Sequence, residues 1–202
     1  MSVKVNEIFY SLQGEGFWTG TPMVFVRLSG CNLRCPFCDT DHVGFEELSA
    51  DEVVRKALSL AGDCRRICLT GGEPSLQADA ALVTALHEAG FHLHMETNGT
   101  RPLPAGIDWV TLSPKEDVPG LVGNGRVVLE QADEVKLVFD GSLPEERLEH
   151  WRAFPATWHF LQPCDVSDPA RNREILRQTI AYIASHPSWR LSLQTHKTLG
   201  IR

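Results

Sequence analysis

Short apolar runs rich in valine, leucine, isoleucine and phenylalanine alternate along the chain with stretches of helical period. Met23-Val24-Phe25-Val26-Arg27-Leu28 reads as the first strand, ended by Ser29-Gly30. Arg66 to Thr70 reads as the second, broken by Gly71-Gly72, and Phe91 to Glu96 as the third, closed by Asn98-Gly99. Asp108 to Leu112, Val135 to Phe139, Trp158 to Leu161 and Trp189 to Gln194 continue the series. Ser49-Ala50-Asp51-Glu52 matches a capping box and predicts a helix to about Leu60. Ala80 to Ala89 reads as a helix stopped by Gly90. Pro144 to Arg152 begins with proline near its first turn, and Asp168 caps a long helix to about Ser185.

Alternation of strand and helix predicts an α/β fold with a parallel sheet and helical crossovers. A full eight-stranded (β/α) barrel takes about 250 residues. This chain has 202, with room for about seven strands and four helices. The expectation is an incomplete, open (β/α) barrel with fewer helices than a full TIM barrel; a doubly wound open sheet is the alternative. No repeat or low-complexity tract divides the sequence, so residues 1–202 read as a single domain. In either architecture the loops at the C-terminal ends of the strands build the site.

Composition narrows the class. Hydrophobic residues make up 43% and charged residues 22%, values of a soluble globular chain. No run approaches the roughly 20 apolar residues of a membrane span, and the N-terminus lacks the basic and apolar regions of a signal peptide. A cytoplasmic protein is expected. Lys plus Arg is 19 against 26 for Asp plus Glu, a formal charge of −7, which argues against a nucleic-acid binder. The six cysteines, in a chain without an export signal, point to metal or redox chemistry more than to disulfides.

Three of them, Cys31, Cys35 and Cys38, follow the first strand with the spacing C-x3-C-x2-C. Three thiolates on one short loop can converge on one metal centre. A structural zinc wants four ligands, and His42 would extend the run to C-x3-C-x2-C-x3-H. A [4Fe–4S] cluster held by three thiolates keeps one iron open for a ligand. Spacing leaves both readings standing. Gly71-Gly72-Glu73-Pro74 follows the second strand; its glycines allow close backbone approach, and Glu73 is suited to accept a hydrogen bond from an ammonium group. Glu96-Thr97-Asn98-Gly99, Ser113-Pro114-Lys115 and Gln162-Pro163-Cys164-Asp165 end later strands on the same rim. The loop from Gln13 to Gly16 offers donors and acceptors to a flat, nitrogen-rich heterocycle, or is a plain surface loop. Residues beyond Leu193 read as a solvated tail. Cys64 and Cys68 read as structural thiols, and His92 and His94 as packing or rim residues.

The cysteine loop together with Gly71-Gly72-Glu73-Pro74 resembles the radical S-adenosylmethionine (radical SAM) superfamily. Further stretches resemble one family within it, 7-carboxy-7-deazaguanine synthase: Leu12-Gln13-Gly14-Glu15-Gly16, Arg27, Cys38-Asp39-Thr40, Glu96-Thr97-Asn98-Gly99, Ser113-Pro114-Lys115, Gln162-Pro163 and Leu193-Gln194-Thr195-His196-Lys197. The resemblance spans nearly the whole chain. It implies a lyase that converts 6-carboxy-5,6,7,8-tetrahydropterin to 7-carboxy-7-deazaguanine with loss of ammonia, on the route to queuosine and other deazapurines.

The resemblance also implies cofactors and residue roles. The cofactors would be a [4Fe–4S] cluster, SAM and Mg²⁺, with a homodimer and a reducing partner such as flavodoxin or ferredoxin. Cys31, Cys35 and Cys38 would hold the cluster, and Thr40 the Mg²⁺. Gly72, Glu73, Ser113, Pro114, Lys115, Gln162, Pro163, Cys164 and Asp165 would line the SAM pocket, with Phe37 by the adenine. Leu12, Gln13, Gly14, Arg27, Thr70 and Arg202 would hold the substrate, the tail folding over the pocket. Cys164 departs from the family pattern and reads as a tolerated apolar side chain. Two other readings compete: an activase that places a glycyl radical on a partner protein, and a zinc-stabilised binding module. The Gln13-to-Gly16 loop and the tail favour a small heterocycle over the activase.

Overall fold

The computed structural model describes residues 2–40 and 44–202. Strand β1 (Ser2–Leu12) runs antiparallel to β2 (Pro22–Leu28), and β3 (Glu46–Ser49) pairs antiparallel on the other edge of β1. Then follow α1 (Ala50–Ala61), β4 (Arg66–Gly71), a 3-10 turn at Pro74–Leu76, α2 (Ala80–Glu88), β5 (His92–Thr97), β6 (Trp109–Leu112) and β7 (Ala132–Phe139). The chain ends with α3 (Glu145–Ala153), β8 (Ala156–Pro163), α4 (Pro169–Ser185), β9 (Arg190–Leu191) and α5 (Thr195–Leu199). From β2 through β4 to β9 the strands lie side by side in chain order, all parallel. With β1 and β3 added they form one nine-stranded sheet whose ends do not meet. No helix connects β5 to β6 or β6 to β7. The fold is the incomplete, open barrel expected.

Alternation along each strand decides which face is oily. Val24, Val26 and Leu28 of β2, Ile67 and Leu69 of β4, and Leu93 and Met95 of β5 are buried beneath Val53 and Ala57 of α1 and Leu82 and Leu86 of α2. A second core joins Val135, Leu137 and Phe139 of β7 with Leu161 of β8, Leu148 and Trp151 of α3, and Trp189. The intervening positions face the concave side. There Arg27 is registered with Thr70, Glu96 with Thr111, and Thr111 with Glu134. The strand starts are closed by aromatics from the β1–β2 loop: Phe17 stacks on Trp109 at 5.0 Å and on Trp158 at 5.2 Å, while Arg66 covers Trp18 at 4.2 Å. The concave face therefore opens only at the C-terminal ends of the strands.

Three differences from the sequence expectation concern the chain ends. Ser2 to Leu12 is an eleven-residue strand that the pattern did not announce. Val3 and Val5 keep period two, but a bulge between Val5 and Glu7 shifts the parity and hides the alternation. β3 is a short edge strand with only Leu48 turned inward. The last strand pairs only at Arg190 and Leu191, because the residues beyond turn back as α5, whose Thr195 N–H donates to Gly14 O at 3.0 Å. The tail is docked through Thr195, while residues 197–202 stay exposed. Among the described residues no helix is long and apolar enough to cross a membrane.

Candidate active site

One cavity of about 680 Å³ occupies the open end of the barrel. Its rim begins at the cysteine loop after β2. Arg34 and Val122 exchange backbone hydrogen bonds of 2.9 and 3.2 Å, which pins the middle of that loop. Gly71 and Gly72 then run against the end of β2. Gly72 N–H donates to Leu28 O at 3.0 Å, and Glu73 N–H to Gly30 O at 2.9 Å. A Cβ on Gly72 would fall 1.9 Å from Gly30 O, so only glycine permits this approach. Here the glycines bring backbone to backbone, while Gly72 also faces the cavity.

Glu73 is turned into the protein. It is fully buried, outside the cavity lining, and its carboxylate accepts from Ser75 N (3.0 Å), Thr97 Oγ1 (2.8 Å) and Asn98 N (2.7 Å). It ties the end of β4 to the end of β5. Asn98 Nδ2 continues the tie by donating to Asn32 Oδ1 in the cysteine loop at 3.1 Å. Pro114 also lies off the main cavity; it lines an adjoining one of about 460 Å³ that shares Phe37, Cys38, Cys164 and Asp165.

The cavity floor is a charged network. Lys136 is almost fully buried, ion-paired with Glu15 and 3.6 Å from Glu96. Glu96 also accepts from Gln13 Nε2 at 3.0 Å and Thr70 Oγ1 at 3.2 Å. Burial opposes charge on the Lys136 ammonium, but Glu15 and Glu96 outweigh it and raise its pKa. Burial likewise favours a neutral Glu96, but Lys136, His94 and the hydrogen bonds from Gln13 and Thr70 together outweigh it, holding the carboxyl below its ordinary range. Behind this network Gly16 N–H donates to Ser192 Oγ at 2.9 Å, and Ser192 Oγ donates to Gln162 Oε1 at 2.7 Å. The β1–β2 loop and the end of β8 are thus joined.

The walls carry further charge. Arg27 pairs with Glu7 at 2.9 Å, and Arg202 with the other oxygen of Glu7 at 2.7 Å, so two guanidinium groups meet over Phe9. Ser11 Oγ donates to Arg202 O at 2.6 Å. Lys115 donates to Ser113 O at 2.7 Å and Ser113 Oγ at 2.6 Å, and burial lowers its pKa. Lys197 of α5 bridges Asp39 at 2.7 Å and Asp165 at 3.0 Å. Burial pushes the Cys164 thiol up to about 11, which keeps it neutral.

The structure thus gathers Leu12, Gln13, Gly14, Arg27, Thr40, Thr70, Gly72, Ser113, Lys115, Arg202 and the stretch from Gln162 to Asp165 around one space with the three cysteines. Sequence reasoning did not name Lys136; it placed Glu15 only within the Gln13-to-Gly16 loop suited to a heterocycle, and Glu96 only within a strand-end stretch. The available signal was Glu134 and Lys136, opposite charges two apart and so on one face of a strand that also carries Asp133.

The donor set fits an iron–sulfur cluster. All six cysteines are free, and Cys64 and Cys68 lie away from the loop, the first donating to Pro22 O and the second packed among Phe9, Met23 and Phe25. Cys31, Cys35 and Cys38 line one cavity and offer it three soft donors, the kind an iron–sulfur cluster takes. His42, the fourth ligand of the zinc reading, lies outside the described residues.

Comparison with known proteins adds the lineage. The profile described as the radical SAM superfamily matches residues 25–119. A 7-carboxy-7-deazaguanine synthase of Bacteroides thetaiotaomicron is 47% identical over 202 residues, all of both chains. One of Caulobacter vibrioides is 42% identical over 225 aligned positions, again all of both chains. The crystal structure of QueE from Escherichia coli superposes with a TM-score of 0.79 at 28% identity, covering 96% of this chain and 94% of that one. Streptococcus suis SuiB bound to S-adenosylmethionine shares the fold, with a TM-score of 0.52 at 17% identity over 81% of this chain and 44% of that one.

Proposed function

The chain belongs to the 7-carboxy-7-deazaguanine synthase family of radical SAM enzymes, and from that premise we propose that its cavity rearranges 6-carboxy-5,6,7,8-tetrahydropterin to 7-carboxy-7-deazaguanine and ammonia. Family membership brings a [4Fe–4S] cluster and SAM, for which Cys31, Cys35 and Cys38 are the ligands on offer. Bound there, the pair would supply radical chemistry able to remove a hydrogen atom from an unactivated carbon.

The chain's own residues bind, orient and shield. Arg27 and Arg202 present planar forks for a carboxylate, held in place by Glu7. Gln13 and Thr70 offer hydrogen bonds beside Glu96, which Lys136 keeps ionised and able to accept from the N–H edge of a pterin. α5 lies across the mouth, with Lys197 clasping the cysteine loop to the Gln162-to-Asp165 loop. Closure of this kind limits solvent around a reactive intermediate. Gly72, Ser113, Lys115 and Gln162 to Asp165 line the space assigned to SAM, which continues toward Pro114. Thr40 supplies a hard oxygen for Mg²⁺, with substrate oxygens completing the shell.

Residues 1–202 act as one catalytic domain in this reading, a length matched by the relatives' own. A cytoplasmic homodimer served by a flavodoxin- or ferredoxin-type donor accompanies it. The observation that carries the reading is the convergence of the three cysteines, Gly72, Arg27 and Arg202 on one cavity. The test is anaerobic reconstitution, incubation with SAM, reductant and the carboxylated pterin, and mass spectrometry. A deazaguanine product is expected; its absence from a protein carrying about four irons per chain would overturn the proposal.

A further inference from the structure

We propose that the outer face of the cysteine loop is the docking surface for an acidic one-electron carrier protein. The inference rests on the radical SAM reading above, which requires an electron from outside.

Three segments are braided on that face. Arg34 and Val122 share two backbone hydrogen bonds, Asn32 Nδ2 donates to Thr100 Oγ1 at 2.8 Å, and Val128 N–H donates to Gly99 O at 2.8 Å. The braid brings together three exposed arginines, Arg34, Arg101 and Arg126. None of the three guanidinium groups has an ion pair, a hydrogen bond or a ring contact among the described residues. Most other cations near the active site are engaged: Arg27, Lys136, Lys197 and Arg202 pair with carboxylates. Glu116, packed beside Gly125 in the same segment, is held by Arg147 of α3 at 2.9 Å, a guanidinium it shares with Asp117 at 2.6 Å, and exposed Glu130 follows Arg126 along the chain. Val122 and Val128, 63% and 49% exposed, stand among the arginines.

Unpaired arginines around exposed apolar side chains have the composition of a binding surface. Their sign is informative because the whole chain carries −7. An acidic partner is repelled by that net charge at long range. It associates productively only through a local positive patch, felt within a Debye length of about 8 Å. Position supplies the rest. Arg34 stands between Cys31 and Cys35, so a partner seated here meets the sulfur-bearing loop from outside and leaves the cavity mouth clear. The transfer balances simply: the reduced carrier loses one electron, the cysteine-held group gains one, and no proton moves.

The test is titration of the reconstituted protein with oxidised flavodoxin, an acidic carrier, at low and high salt. Arg101→Glu/Arg126→Glu and Arg34→Glu should each raise Kd at low salt at least tenfold, and the salt dependence of wild-type binding should flatten. Arg101→Gln/Arg126→Gln should fall between, without reversed charges to disturb folding. SAM cleavage driven by reduced flavodoxin should drop in parallel, while cleavage driven by dithionite stays at the wild-type rate. Unchanged Kd, or equal losses with both reductants, would overturn the proposal. So would dissociation of a homodimer in the same variants, which would give the face to a second copy of the chain. Lack of deazaguanine with dithionite would instead count against the proposed function, leaving the binding measurement still decisive for the surface.

Discussion

His196 occupies the space that a Cβ on Gly14 would need: the ideal position lies 2.2 Å from His196 Nδ1. Thr195 N–H and Oγ1 both donate to Gly14 O, at 3.0 and 2.9 Å, so α5 is docked on a bare stretch of backbone. Gly14→Ala should therefore push α5 off the mouth. Overpacking of this kind costs about 1–3 kcal/mol, enough to raise the apparent KM for the pterin about tenfold. Hydrogen exchange at Lys197 N–H should quicken, with iron content unchanged. Wild-type exchange and KM in the variant would refute the docking role.

Lys136 is the buried cation paired with two half-buried carboxylates, Glu15 and Glu96, so Lys136→Met should leave both uncompensated. Breaking a buried pair from one side costs about 3–5 kcal/mol, which in a chain of this length lowers Tm by on the order of 10 °C. Adding Glu15→Gln and Glu96→Gln should restore part of the loss. A Tm within about 2 °C of wild type in the single variant would contradict the network.

Much of this was legible because the rim motifs are local. C-x3-C-x2-C and Gly71-Gly72-Glu73-Pro74 are contiguous, and each follows an apolar strand ended by glycine, so order along the chain already placed them together. A carboxylate beside two glycines suggests a ligand contact, whereas the partners Glu73 takes in the structure, Thr97 and Asn98, lie more than twenty residues on. Lys136 escaped for the same reason: its partners Glu15 and Glu96 come from other strands and loops, and only strand registration joins them. α5 read as solvated tail because its five residues bury nothing of their own; what holds it is Gly14, at the other end of the chain.

His94 is buried on β5, with Nε2 2.6 Å from Thr111 Oγ1 and Nδ1 without a partner. Burial pulls its pKa from 6.5 down to about 4; Glu96 on its own strand pulls upward, while Lys136 of β7, His92 and Arg66 of β4 add to the fall. Between those values the unfolded chain binds the proton and the folded chain does not, so stability falls as pH drops through that window. A shift of this size corresponds to about 2 kcal/mol lost between pH 7 and 4.5. His94→Gln should lose correspondingly less than wild type over that range in urea unfolding. Parallel pH profiles for the two proteins would show that His94 does not titrate with folding.

Thr40 stands on the cavity wall two residues beyond Cys38, offering a hard hydroxyl oxygen beside three soft donors. Mg²⁺ takes oxygen at about 2.0–2.1 Å and leaves thiolates to iron, so under the proposed function Thr40 rather than a cysteine would take the ion. Asp39, the competing oxygen donor beside it, is engaged: burial disfavours its charge, but Lys197, aided by Gln194, holds its pKa below the ordinary value. Thr40→Ala should then raise the Mg²⁺ concentration for half-maximal product formation at least tenfold, while iron content and SAM binding stay at wild-type values. Thr40→Ser, which keeps the hydroxyl, should recover most of the metal response. If Thr40→Ala titrates with Mg²⁺ as the wild type does, the ion is held by other groups; if Asp39→Asn shows the loss instead, the ligand is the carboxylate next door.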